Sequence, residues 1–81
     1  MRETILDRVL RGTADANIRL DDLRSLLISL NFSERVRGSH HIFTRSDVEE
    51  ILNIQPRGSL AKAYQVKQVR KVIVRYRLVE E

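Results

Sequence analysis

Eighty-one residues, 42% apolar and 32% charged, make a single small domain that buries about 60–65% of the surface its unfolded chain exposes. The chain has no cysteine, which removes disulfides, thiolate metal sites and thiol nucleophiles together, and no apolar run nears the roughly 20 residues of a membrane span. The formal charge of +4 is uneven: residues 1–54 carry eight Lys/Arg against nine Asp/Glu (−1), whereas residues 55–81 carry seven against two (+5).

In chain order, Met1-Arg2-Glu3-Thr4 mixes acid and base and lacks the apolar core of a signal peptide, so a cytoplasmic location is expected. Ile5, Leu6, Val9 and Leu10 recur at helical spacing, and Gly12 stands where a left-handed residue ends a helix. This makes 1–12 an N-terminal helical extension, followed by a small polar linker over Thr13–Asn17 and a core over 18–78 of one domain spanning 1–81. Leu20, Leu23, Leu26, Leu27 and Leu30 form the stripe of a second helix, capped by Asp21 or Asp22 and stopped at Asn31.

From Phe32 the period changes to two. Phe32, Glu34 and Val36 alternate with Ser33, Arg35 and Arg37, and Gly38-Ser39 turns the chain into a second strand over His40–Arg45. Ser46–Glu50 is polar and acidic and reads as a loop. Ile51–Ile54 is a short third strand ended by Pro56, and Arg57–Ala63 is a connector. A last helix over about Tyr64–Leu78 carries the apolar stripe Val66, Val69, Val72, Ile73 and Tyr76. Lys67, Arg70, Lys71 and Arg75 lie on its other side. The order predicts an α+β fold, a three-stranded antiparallel meander with one face covered by helices.

Both histidines fall in Gly38-Ser39-His40-His41-Ile42-Phe43. Alternation puts His41 on the face of Phe43, the larger apolar group and therefore the core side, and leaves His40 on the open side. Imidazole has its ordinary pKa nearest neutrality, about 6.5, and can take and return a proton at physiological pH. A third His or Cys to complete a metal set does not exist. Ser39 and His40 point apart on a strand, which argues against a hydrolase triad. Asp47, Glu49 and Glu50 read as solvated loop charge. From Gln55 to Val79 no acidic residue interrupts the basic run, the electrostatic footprint of a polyanion binder. The residues themselves leave three readings open: a ribonuclease, a non-catalytic RNA-binding module, and a protein-interaction domain with a basic docking face.

The run from Phe32 to Phe43, after a Leu-rich helix, resembles the HicA toxins, small ribonucleases of bacterial and archaeal toxin–antitoxin pairs. The specific part is Gly38-Ser39-His40-His41-Ile42-Phe43, and Tyr64-Gln65-Val66-Lys67-Gln68-Val69-Arg70-Lys71 is similar to the final helix of one branch of the family. The resemblance spans about residues 18–78. It implies a fold like double-stranded-RNA-binding domains with an extra N-terminal helix. It also implies cleavage of messenger RNA without a metal or other cofactor, and neutralisation by a HicB-type antitoxin. The family's catalytic histidine corresponds to His40. The expected site is thus His40 with His41 for proton transfer, and Arg35, Arg37, Lys67, Arg70 and Lys71 on phosphate. Two departures stand out. The histidine that many members carry after a proline is missing, since Pro56 precedes Arg57-Gly58-Ser59, and the turn at Ser46–Glu50 is longer than the family's short Asp-Gly type.

Overall fold

The computed structural model describes residues 3–79; residues 1, 2, 80 and 81, the outermost parts of the 1–12 extension and of the domain read over 1–81, lie outside them. Helix α1 (Ile5–Arg11) begins with a capping box, in which Thr4 Oγ1 accepts from the Asp7 N–H and Asp7 Oδ2 accepts from the Thr4 N–H, both at 3.1 Å. These bonds hold the Asp7 carboxyl below its usual range. Gly12 ends α1 at φ +74°, as its position in the sequence predicts. A short 3-10 turn (Asp15–Asn17) leads to α2 (Leu20–Ser29), and Asn31 takes the left-handed conformation after it, at φ +70°. The N-cap of α2 is Arg19, not Asp21 or Asp22. Those two carboxylates sit in the first turn, where they favour the helix dipole without capping it.

Strands β1 (Ser33–Arg37), β2 (His40–Arg45) and β3 (Val48–Ile54) form an antiparallel sheet in that order. The expected loop at Ser46–Glu50 is shorter than its polarity suggests. Arg45 pairs with Val48, so only Ser46-Asp47 turns, and Val48, Glu49 and Glu50 already belong to β3. The turn between β2 and β3 is therefore two residues long. The expected connector after Ile54 contains a second, two-stranded sheet, β4 (Pro56–Arg57) with β5 (Leu60–Ala61). Its turn Gly58-Ser59, like Gly38-Ser39, opens with a glycine at positive φ, +63° and +58° respectively. That is the requirement of a tight hairpin turn of the primed type. This hairpin is pinned to the entry of α2, where Leu20 N–H donates to Ser59 O at 3.0 Å and Ala61 N–H to Ile18 O at 2.9 Å. Helix α3 (Ala63–Arg75) follows, starting one residue earlier and ending three residues earlier than its periodicity predicts.

The core joins Leu23, Leu26 and Leu27 of α2, Phe43 and Leu52 of the sheet, and Val66, Val69, Val72 and Ile73 of α3. Val9 is fully buried in the same core. Helix α1 is thus packed into the domain rather than appended to it. Its anchor is Arg70 of α3, whose guanidinium meets both Asp15 oxygens at 2.9 and 3.1 Å and donates to Val9 O at 3.1 Å. Asp15 holds the Arg70 guanidinium even more firmly protonated than usual. Gly12 lies against the same group: a Cβ there would stand 3.2 Å from Arg70 Cζ and Nη1. Gly12→Ala is therefore expected to destabilise by about 1–2 kcal/mol, the cost of a left-handed L-residue, and more if Arg70 is displaced. Thermal unfolding checks this, at about 4–8 °C lost per kcal/mol for a domain of this size. An unchanged midpoint would mean that the α1 end relaxes freely.

At the other end, Tyr76 closes the sheet edge. Its hydroxyl donates to Glu50 Oε1 at 2.6 Å and accepts from the Glu49 N–H at 3.2 Å, while Arg75 Nη1 lies 3.2 Å from Glu50 Oε2. Tyr76, then Arg75, holds the Glu50 carboxyl below its usual range, and Glu50 pushes the Tyr76 hydroxyl up. Glu50 is therefore a packing partner, not loop charge.

Candidate functional site

Strand register decides where the two histidines go. Cross-strand pairs share a face, and Arg37 pairs with His40, Arg35 with Ile42, and Ile42 with Asn53. His40, Arg35, Arg37 and Asn53 accordingly lie on the open face of the sheet. Glu34 pairs with Phe43, and Val36 and Ile54 with His41. His41 therefore belongs to the covered face, as the alternation predicts. A strand presents these neighbours on opposite sides, and the glycine turn does not alter the register.

His40 is held at the end of the sheet by groups from β3 and the segment after it. Its Nδ1 lies 3.1 Å from Asn53 Oδ1, and the Gln55 amide nitrogen lies 2.9 Å from Nδ1 and 3.2 Å from Nε2. Lys62 Nζ donates to Gln55 Oε1 at 2.7 Å, which turns the Gln55 NH2 toward the ring. An NH2 only donates and Asn53 Oδ1 only accepts. Asn53 Oδ1 calls for a proton on Nδ1, whereas the Gln55 NH2 at 2.9 Å calls for a lone pair on the same atom, so each tautomer satisfies one of the two. In the tautomer that donates to Asn53, a hydroxyl displacing Gln55 at Nε2 would meet the basic nitrogen.

His41 is engaged elsewhere. Its Nδ1 lies 2.9 Å from Glu34 Oε2, and the two side chains are only 14% and 15% exposed. Glu34 is also clamped by Arg24 of α2, with Nε at 2.6 Å and Nη2 at 3.1 Å. Arg24, then His41, holds the Glu34 carboxyl below its usual range, and Glu34 keeps Arg24 more firmly charged. This corrects the expectation that His41 joins His40 in proton transfer: it faces the helices, and its Nδ1 is bonded to a carboxylate. Arg24–Glu34–His41 is a brace between α2 and the sheet.

The expected phosphate contacts divide in the same way. Arg35 and Arg37 are exposed on the His40 face. Lys67 and Lys71 are exposed one turn apart on α3, and among the described residues none of these four is ion-paired. Arg70 is the second correction, since Asp15 and the Val9 carbonyl use its guanidinium, and a phosphate would have to break a bidentate pair to reach it. Arg75 is taken by Glu50.

Residues outside the expected site complete it. Gln55 and Lys62 carry the network behind His40. Arg57, Lys62, Ala63, Tyr64 and Lys67 line an open cavity of about 640 Å³ where β4 meets the start of α3. The only signal for them in the sequence is the glycine of Arg57-Gly58-Ser59, which marks a hairpin and so brings Arg57 back toward the helix. Among the described residues no group of three or more His, Cys, Asp or Glu side chains is placed to hold a metal ion, and no helix is long and apolar enough to cross a membrane. Comparison of the chain with models of known families, with curated proteins and with solved structures finds no match.

Proposed function

We propose that this chain is a HicA-like toxin: a cytoplasmic endoribonuclease that cleaves messenger RNA without a metal, using His40, and is neutralised by a HicB-type antitoxin. The observation that carries the reading is the placement of His40. It stands on the open face beside a glycine hairpin, flanked by Arg35 and Arg37, and in the tautomer that donates from Nδ1 to Asn53 its Nε2 is the nitrogen that takes a proton. The motif Gly38–Phe43 and the three-stranded antiparallel sheet set between α2 and α3, to which α1 and the β4–β5 hairpin are added, support it.

In this mechanism Nε2 takes the ribose 2′-hydroxyl proton and O2′ attacks the adjacent phosphorus. The O2′–P bond forms, the P–O5′ bond breaks, and a 2′,3′-cyclic phosphate is left. Arg35 and Arg37 neutralise charge growing on the phosphorane oxygens. The 5′ oxygen takes its proton from water or from the His40 imidazolium itself, because His41 is on the other face. Lys67 and Lys71 hold backbone phosphate.

Purified protein incubated with messenger RNA in EDTA tests the proposal: fragments ending in 2′,3′-cyclic phosphate are expected. One observation favours a second reading, a non-catalytic RNA-binding module, namely that no second imidazole shares the open face. RNA binding that weakens steeply with salt, without cleavage, would select it. Lys67→Ala and Lys71→Ala are each expected to weaken binding equally on unrelated RNAs and to lower the salt slope by about one for each phosphate no longer held. Arg70→Ala is expected to lower stability instead, because it frees Asp15. The antitoxin is expected to co-purify when the neighbouring reading frame is co-expressed, burying on the order of 1,200–2,000 Å².

A further inference from the structure

The cavity beside α3 holds the feature that the proposed mechanism does not use. Tyr64 is 63% exposed, outside the core, and surrounded by cationic rather than apolar side chains. Its hydroxyl is nevertheless in contact with the fold. The hydroxyl accepts from Gln65 Nε2 at 3.3 Å, and Gln65 is itself buried, with its Oε1 taking the Gln55 N–H at 2.7 Å. Gln55 in turn contacts His40. The exposed ring thus stands at the end of a chain of contacts that runs through two glutamines to the imidazole. Arg57, Lys62 and Lys67 surround the ring, and the cavity volume of about 640 Å³ falls within the roughly 300–1,000 Å³ of small-ligand sites.

We infer that this cavity is a base-stacking subsite for single-stranded RNA, in which Tyr64 takes the face of one unpaired base while Arg57 and Lys67 hold its flanking phosphates. The inference rests on the RNA-cleaving reading and names the form of its substrate. Stacking on an aromatic face needs a base whose own faces are free, and a duplex covers them. Lys62 is partly used by Gln55, which leaves Arg57 and Lys67 as the phosphate contacts. A strand whose base stacks on Tyr64 must be unpaired there, so Tyr64 selects unpaired segments for cutting. Tyr64 is a positioning residue and carries no proton in the reaction.

The test measures fluorescence-anisotropy binding of a labelled 12-nucleotide oligouridine and of a 12-base-pair RNA duplex to the His40→Ala chain, which binds without cutting. Tyr64→Ala in that background is expected to weaken the single strand about 5- to 100-fold and to leave the duplex within about twofold. Tyr64→Phe keeps the ring and is expected to stay within about twofold on both. Far-UV circular dichroism establishes that each variant is folded. The inference is overturned if Tyr64→Ala binds oligouridine as tightly as its parent, if it loses single strand and duplex equally, or if neither RNA binds the parent. The arms separate the two readings: a chain that never cleaves RNA yet shows the Tyr64 effect keeps the subsite and loses the ribonuclease, whereas cleavage with no Tyr64 effect does the opposite.

Discussion

His40→Ala is expected to slow RNA cleavage by about 10²–10⁴-fold, the usual contribution of one positioned acid–base group, and to abolish growth inhibition on induction. The fold should survive, because the ring is on the open face and its partners Asn53 and Gln55 regain water or each other when it is removed. A strand-surface change of this kind usually stays within about 0.5 kcal/mol. Gln55→Ala probes the same site from behind. It removes the amide that faces the ring and releases Lys62, so a smaller rate loss is expected, with binding retained. Wild-type cleavage by purified His40→Ala would remove His40 from the mechanism. A dead His41→Ala with a live His40→Ala would do the same, and would contradict the strand register.

The largest stability loss among the polar side chains is expected at Glu34. Glu34→Ala leaves Arg24 without its bidentate partner and His41 without its acceptor, all at the packed side of the sheet. Breaking a buried pair costs about 3–5 kcal/mol. Arg24 is about a third exposed and recovers some hydration, so about 2–3 kcal/mol is the expected loss here. The same carboxylate makes the fold acid-sensitive. Its folded pKa is depressed, by Arg24 first and His41 second. Its stabilisation is therefore complete above the unfolded glutamate value, about 4.3, and is lost as pH falls through the lower folded value. Denaturation profiles between about pH 2 and 6 for the native chain and Glu34→Gln supply the measurement. Glu34→Gln should start lower and fall less steeply on the acid side; parallel curves would mean that Glu34 is not the linked group.

What the sequence revealed depended on whether the information was local. Gly12 and Asn31 stop their helices because each takes a left-handed conformation, a preference a single residue carries. Phe43 identified the covered face because alternation is a property of neighbours. The start of β3 was hidden, since of Val48, Glu49 and Glu50 only the first is buried, and a polar sheet edge reads as a loop. The β4–β5 hairpin is two residues on each side, too short to show any period. The fate of Arg70 was out of reach for another reason. Its carboxylate lies 55 positions upstream, so a scan for nearby acids found a bare cation. His41 is the intermediate case, with its face predicted by alternation and its partner Glu34 supplied by the adjacent strand.

The Arg70 clamp also sets the order in which the chain can become whole. Its contacts to Asp15 and Val9 span 55 and 61 positions, and non-local contacts of this kind form late because loop closure precedes their reward. A nascent chain that has emerged only as far as β5 has its hairpins and α2, but the Asp15 carboxylate and the Val9 carbonyl still face solvent. The end of the domain that carries Arg70 therefore closes the end that carries α1, and a chain that lacks residue 70 leaves the Asp15 carboxylate and the Val9 carbonyl without this partner.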